Sequence, residues 1–238
     1  GLKKEKLINN YISRKMKTRL TLFFIAIASF FVQAQNTEAC TETLSLMSTS
    51  VKAKDVTAYD YLTTLRKDCP SFLKSIYTLG EFAVKLKIEK ATTPQDKEKY
   101  VRDLLKLYDE HDQYFPDNGA GNKMKKGLAL FENKVGTTDE IFNLLDVAFK
   151  TDYANCKYAK AMYVYFEILV NNHKANKGVE LQQVFDKYDD ISKKLDEEEK
   201  ELSEENDGFL TREEAGQVLS DKEKTRKARI ENSLEIFG

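Results

Sequence analysis

Apolar side chains recur along this chain every three or four residues, the spacing of one helix face. No stretch shows the convincing period of two that marks a strand. Cys40, Leu44, Met47 and Val51 predict a first helix near 38–51. Val56, Tyr59, Leu62 and Leu65 predict a second, which stops before Cys69-Pro70. A third runs from about Phe72 through Ile76 and Ala83 to Leu86. In KATTPQDKE (90–98), Thr93 is placed to cap a fourth helix with Pro94 at its first position, where a missing N–H costs nothing. That helix carries Tyr100, Leu104, Leu105 and Tyr108 and ends before Pro116.

After the loop PDNGAGN (116–122), Met124, Leu128 and Phe131 predict a short fifth helix. Thr138 is expected to cap a sixth, carrying Ile141, Leu144, Leu145 and Ala148. Tyr158, Ala161, Tyr165 and Leu169 mark a seventh. The eighth opens after Gly178 and is long. Its Val184, Tyr188, Ile191, Leu195, Glu198 and Leu202 alternate by four and three, a heptad seam with one acidic interruption. Gly208 is expected to end it as a left-handed cap. Thr211 and Glu214 then form a capping box that opens a short turn closed by Gly216, and Ser220 with Glu223 repeats the device for a last helix.

The helices pair, and the pairs are related. DLLKLYDEHDQY (103–114), NLLDVAFKTDYA (143–154) and QQVFDKYDDISK (182–193) align at an offset of about 40 residues, with YLTTLRKDCP (61–70) one unit earlier. One hairpin cannot bury its own apolar face, so neighbours stack. The expected fold is all-α: antiparallel hairpins in a tetratricopeptide-like right-handed array over 35–178, then a long charged helical hairpin over 179–238. The period exceeds the 34 residues of an ideal tetratricopeptide repeat, and only Leu79-Gly80 echoes its consensus.

The stretches EACTETLSLM, KDVTAYDYLTTLRKDCP, VRDLLKLYDEHDQYFP and KYDDISKKLDEEEKEL resemble a group of exported bacterial proteins with tetratricopeptide-like repeats, over most of 36–238. The resemblance implies the helical-repeat fold and brings no catalytic motif with it. Members of that group continue further, and helical spacing still runs through Ile230, Leu234 and Phe237, so a C-terminal truncation is expected.

Ahead of the helices, Met16 opens a basic Met-Lys-Thr-Arg, an apolar run from Leu20 to Phe31, and Val32-Gln33-Ala34 with small residues at −3 and −1 of a cleavage point. That is a secretory signal peptide over 16–34, and its apolar run is shorter than the ~20 residues a bilayer span needs. Residues 1–15 read as an upstream unstructured segment. Cys40 lies too far past the cleavage point for lipidation, so the mature chain is expected in the periplasm or at the cell surface of a Gram-negative bacterium, with no transmembrane anchor. Seven Lys and Arg and one Glu precede residue 35; of the chain's 38 basic and 39 acidic residues, 31 and 38 remain, a net charge of −7. That balance argues against nucleic acid as a partner.

An exported chain supplies the oxidising compartment for a disulfide. Cys40 opens the first helix and Cys69 closes the second, adjacent ends of an antiparallel hairpin, so these two are the candidate pair. Cys156 is left over. His111 and His173 lack zinc-ligand spacing, although Glu110, His111 and Asp117 lie close in sequence. No phosphate loop or nucleophile motif appears, so neither catalysis nor a cofactor is expected. SEENDGFLTREE (203–214) carries a weaker alternative: with Gly208 at position six of an EF-hand loop, Glu205, Asp207 and Glu214 fall at three, five and twelve, but Ser203 takes the place of the first Asp. Tyr108, Tyr114, Tyr163 and Tyr165 are candidate anchors for a partner, wherever they are exposed. The reading favoured is a non-catalytic scaffold for a protein or peptide; the alternative is a small-molecule or glycan module with a tyrosine-lined pocket.

Overall fold

The computed structural model describes residues 37–237, so the predicted signal peptide and the segment before it lie outside the described residues. Within this range the chain is all-α: nine helices, packed as sequential antiparallel neighbours within each of two units, and no strand. They are α1 (37–52), α2 (Ala58–Asp68), α3 (Ser75–Lys90), α4 (Pro94–Tyr114), α5 (Asn122–Asn133), α6 (Thr138–Thr151), α7 (Ala159–Lys174), α8 (Leu181–Glu214) and α9 (Asp221–Phe237). A short 3-10 turn, Tyr153–Asn155, precedes α7. They form two compact units, one ending at Asn118 and one starting at Gly119.

In the first unit, α3 packs on both α2 and α4. Gly80 makes the approach possible, because a Cβ there would lie 2.7 Å from Leu62 Cδ1 and 3.4 Å from Leu107 Cδ1. Leu62, Leu65, Ile76, Val84, Val101 and Leu104 fill the core. A largely buried guanidinium ties α2 to α4: Arg66 Nε lies 2.6 Å from Glu110 Oε2 and Nη1 2.9 Å from Asp103 Oδ1. Asp103 and Glu110 are two turns apart on one face of α4, and Tyr59 also donates to Asp103, at 2.9 Å. The expected disulfide is present. Cys40 and Cys69 join the start of α1 to the end of α2, closing a separation of 29 residues, a constraint that stabilises by ~3.6 kcal/mol in the chain-entropy picture.

In the second unit, α5 packs on α6 and also reaches α7, which packs in turn on α6 and α8. Gly127 repeats the role of Gly80: a Cβ there would sit 2.6 Å from Leu145 Cδ2, and both glycines are the sixth residue of their helices. The turns recur as well. After α1, α5 and α7 the backbone turns left-handed at Lys54, Lys134 and Asn176, and the next amide reaches back to close each helix end. Lys54 and Lys134 are each followed three residues later by a threonine, Thr57 and Thr137, at the N-cap of the next helix.

Helix starts follow the sequence reading closely. Thr93 accepts from the Asp96 amide with Pro94 behind it. The cap of α6 is Thr137 and not the expected Thr138: Thr137 has extended backbone and accepts from the Glu140 amide, while Thr138 is already helical. Ser220 and Glu223 form the expected box ahead of α9, Ser220 N–H donating to Glu223 at 2.8 Å.

The end of α8 corrects the sequence reading. The helix does not stop at Gly208, and Thr211 and Glu214 open no new turn; all three lie inside it. It ends at Gly216, whose φ is 77°, with Gln217 N–H donating to Arg212 O and Gly216 N–H to Glu213 O, a Schellman closure. Length explains the choice. At ~1.5 Å per residue the 34 residues of α8 span ~50 Å, about twice the reach of α7 with 16 residues. The second half of α8 outruns α7, and α9 folds back to cover it. Arg226 clasps Glu205 through Nη2 at 2.6 Å, Arg212 reaches Glu223 at 2.8 Å, and Ile230 and Leu219 are buried.

A Cβ at Gly208 would meet nothing within 4 Å. Gly208→Ala therefore stabilises the protein by ~1 kcal/mol in urea unfolding, the helix-interior difference between the two residues, while Gly216→Ala weakens it by about as much. A destabilised Gly208→Ala variant would restore the cap reading.

Candidate functional site

The overhang of α8 creates a cleft. Where α7 begins and α9 has not yet closed on α8, a hollow of about 930 Å³ remains in the second unit. Its apolar lining comes from Leu128 of α5 and from Leu195 and Leu202 on the α8 seam. Tyr158 and Tyr163 form an aromatic wall at the start of α7, and Arg226 and Ser233 bring α9 to the other side. Tyr158 is fixed by its hydroxyl, which donates to Ala120 O at 3.0 Å, and Lys125 sits over its ring. Tyr163 is 65% exposed.

Charge surrounds this hollow. Lys157 Nζ lies 2.9 Å from Glu201 and 3.6 Å from Glu198; Lys160 meets Glu132 at 2.6 Å; Arg226 holds Glu205. Hydrogen bonding to Lys157 holds the Glu201 carboxyl below its usual range, and Arg226 does the same for Glu205. Beneath the cleft, Lys194 and Glu198 are both buried, their charged atoms 2.7 Å apart. Lys194 also sits 5.0 Å from the centre of the Tyr153 ring, so an aromatic face and a carboxylate share the task of holding a desolvated ammonium.

The four tyrosines singled out in the sequence have three different fates. Tyr108 and Tyr165 are core residues, 3% and 1% exposed, and neither can meet a partner; Tyr165 donates to Asp146 at 2.6 Å and binds α7 to α6. Tyr114 ends α4 partly exposed, its ring stacked on Tyr77. Only Tyr163 lies at the cleft. Tyr188, expected on the buried seam of α8, is 56% exposed and leans on Phe166. Tyr158, Leu128 and Arg226 were missed as site residues because nothing in a linear reading brings positions about 30 and 68 apart into one wall.

Glu205, Asp207 and Glu214 lie on continuous helix, not on a loop. Glu205 and Asp207, two residues apart, point away from each other, and Glu205 is engaged by Arg226. Of the Glu110, His111 and Asp117 group, Glu110 binds Arg66, and His111 is buried against the Tyr77 ring. Among the described residues no group of three or more His, Cys, Asp or Glu is placed to hold a metal ion, and no helix is long and apolar enough to cross a membrane. Comparison with protein-family models, curated proteins and solved structures returned no match.

Cys156 lies beside the Lys194 and Glu198 pair and is fully buried, its thiol directed at Asp152 O (3.4 Å) and Ala148 O (3.6 Å). Burial, with the nearby Asp152 charge, pushes the thiol up from 9.0 to about 11. From pH 9 to pH 11 the unfolded thiol releases its proton and the folded one keeps it, so stability falls across this window. Cys156→Ala removes that part of the slope in urea titrations. Ellman's reagent leaves the native thiol unmodified at neutral pH and labels it on unfolding; rapid native labelling would contradict the burial.

Proposed function

We propose that this chain is an exported, non-catalytic helical-repeat protein of the bacterial envelope that holds a protein or peptide partner. The cleft carries the reading: an apolar base, an exposed tyrosine at its mouth and a charged rim are the anatomy of a groove that takes a chain segment. The repeat reading rests on local recurrences: left-handed turns at Lys54, Lys134 and Asn176, the paired glycines Gly80 and Gly127, and the reach of α5 past α6 to α7. Recurrence of this kind supports a stacked-repeat reading, in which each unit repeats the same turn and contact positions. Export is supported by the leader pattern at 16–34 and by a disulfide that suits an oxidising compartment. The net charge of −7 over 35–238 supports a partner other than nucleic acid.

The volume of the cleft and its two tyrosines favour one competing reading, a periplasmic small-molecule or glycan module. A photo-crosslinking benzoylphenylalanine at Tyr163 separates the two. The expected outcome is a discrete protein adduct in living cells, absent when the same group replaces the exposed Val147 on α6. No protein adduct, with a sugar or metabolite bound in native mass spectrometry, would replace the scaffold reading with the other.

A further inference from the structure

α8 carries two seams. One, through Val184, Ile191, Lys194 and Glu198, is buried. The other runs beside it through Leu181, Phe185, Tyr188, Leu195, Leu202 and Phe209. Its spacing is four, then three, then whole heptads, so it keeps to one face of the helix. α9 lies antiparallel along the distal half of this second seam. Its cover runs from Glu213, which Lys227 meets at 3.3 Å, to Leu195, where Ser233 stands across the cleft. Leu202 and Phe209 are half-buried there. Past the cleft the same face is bare. Leu181, Phe185 and Tyr188 are each more than half exposed, and the Phe166 ring of α7 broadens the patch beside Tyr188. An outer hairpin face that meets water in a stacked array is polar. This one is aromatic.

On these grounds we propose that this stretch of α8 is the interface of a twofold dimer, in which a second copy of the chain continues the cover that α9 begins. Direction favours a copy. A helix that extends the cover of α9 must run antiparallel to α8, and a second α8 related by a twofold axis does so. The stripe is also self-complementary. Leu181 stands four residues before Phe185 and Tyr188 three after it, so an axis at Phe185 sets that ring against its own copy and Leu181 against Tyr188 of the partner subunit. On the exposed flank, Gln182 precedes Asp189 by seven residues, two turns of helix. The same axis brings the Gln182 amide of one copy to the Asp189 carboxylate of the other, so that carboxylate meets a donor and not its own copy. The area fits a reversible dimer. At roughly 200 Å² for a large side chain, the three residues leave roughly 300 Å² bare on each copy. The two faces together supply an apolar core of ~600 Å², and with their polar flanks they approach the ~1,200 Å² at which stable interfaces begin. The pairing does not depend on what the cleft holds.

Sedimentation velocity on the full chain tests this. The expected result is a reversible monomer–dimer equilibrium with a dissociation constant in the micromolar range. Phe185→Glu weakens it by about a hundredfold, because a twofold presents each substitution twice, and Tyr188→Ser by about tenfold. Val147→Glu, at an equally exposed apolar position on α6, leaves it unchanged. Phe185 and Tyr188 are exposed, and circular dichroism verifies that the variants keep the fold. Register is tested by Phe185→Cys. With Cys40 and Cys69 bonded to each other and Cys156 buried, mild oxidation is expected to join two copies through residue 185 and to leave Val147→Cys unjoined. A chain that stays monomeric up to about 1 mM overturns the proposal. So does a dimer indifferent to Phe185→Glu, one equally weakened by Val147→Glu, or one that Phe185→Cys does not lock.

Discussion

A helix can hide its apolar seam only along the length of whatever lies beside it. α8 is about twice as long as α7, and its seam continues through Leu195 and Leu202 to the point where α7 has already begun. That mismatch determines the rest of the second unit. It requires α9, a tight reversal at Gly216, and the ion pairs that keep two charged helices side by side. It also leaves an imperfectly covered stretch where four helices meet, which is the cleft.

The first unit solves a different problem with different means. Its helices are closer to one another in length, apart from the short α2, and its long-range specificity comes from one guanidinium shared by two carboxylates and from a disulfide. Burying Arg66 with its carboxylates costs solvation that offsets their attraction, so its value lies less in net energy than in register: a shift of α4 by one turn would break both contacts at once.

Much of this was legible in the sequence, because helix faces and caps are local. Pro94 behind Thr93, the Ser220 and Glu223 box and the Cys40 and Cys69 pair each depend on a few neighbouring residues or on one hairpin. Gly208 was misread for the same reason. Gly-Phe-Leu-Thr-x-x-Glu satisfies the local grammar of a stop and a start, yet ~1 kcal/mol of glycine penalty is small beside the packing that an unbroken α8 gains against α9. The tyrosines show the complementary limit. Tyr163 and Tyr165 are two residues apart on one helix, and only the neighbours decide that one faces solvent and the other the core. The cleft was illegible altogether, since it belongs to no single segment.

α9 contributes a wall of that cleft through Arg226 and Ser233, so the hollow is complete only while the hairpin is closed. Filling the cleft and closing the hairpin are therefore two faces of one equilibrium. An occupant that contacts both helices protects α9 from local opening, by ~2.7 kcal/mol once its concentration is a hundredfold above its dissociation constant. The slowing of amide exchange along the whole of α9, including turns the occupant does not touch, becomes a measure of occupancy.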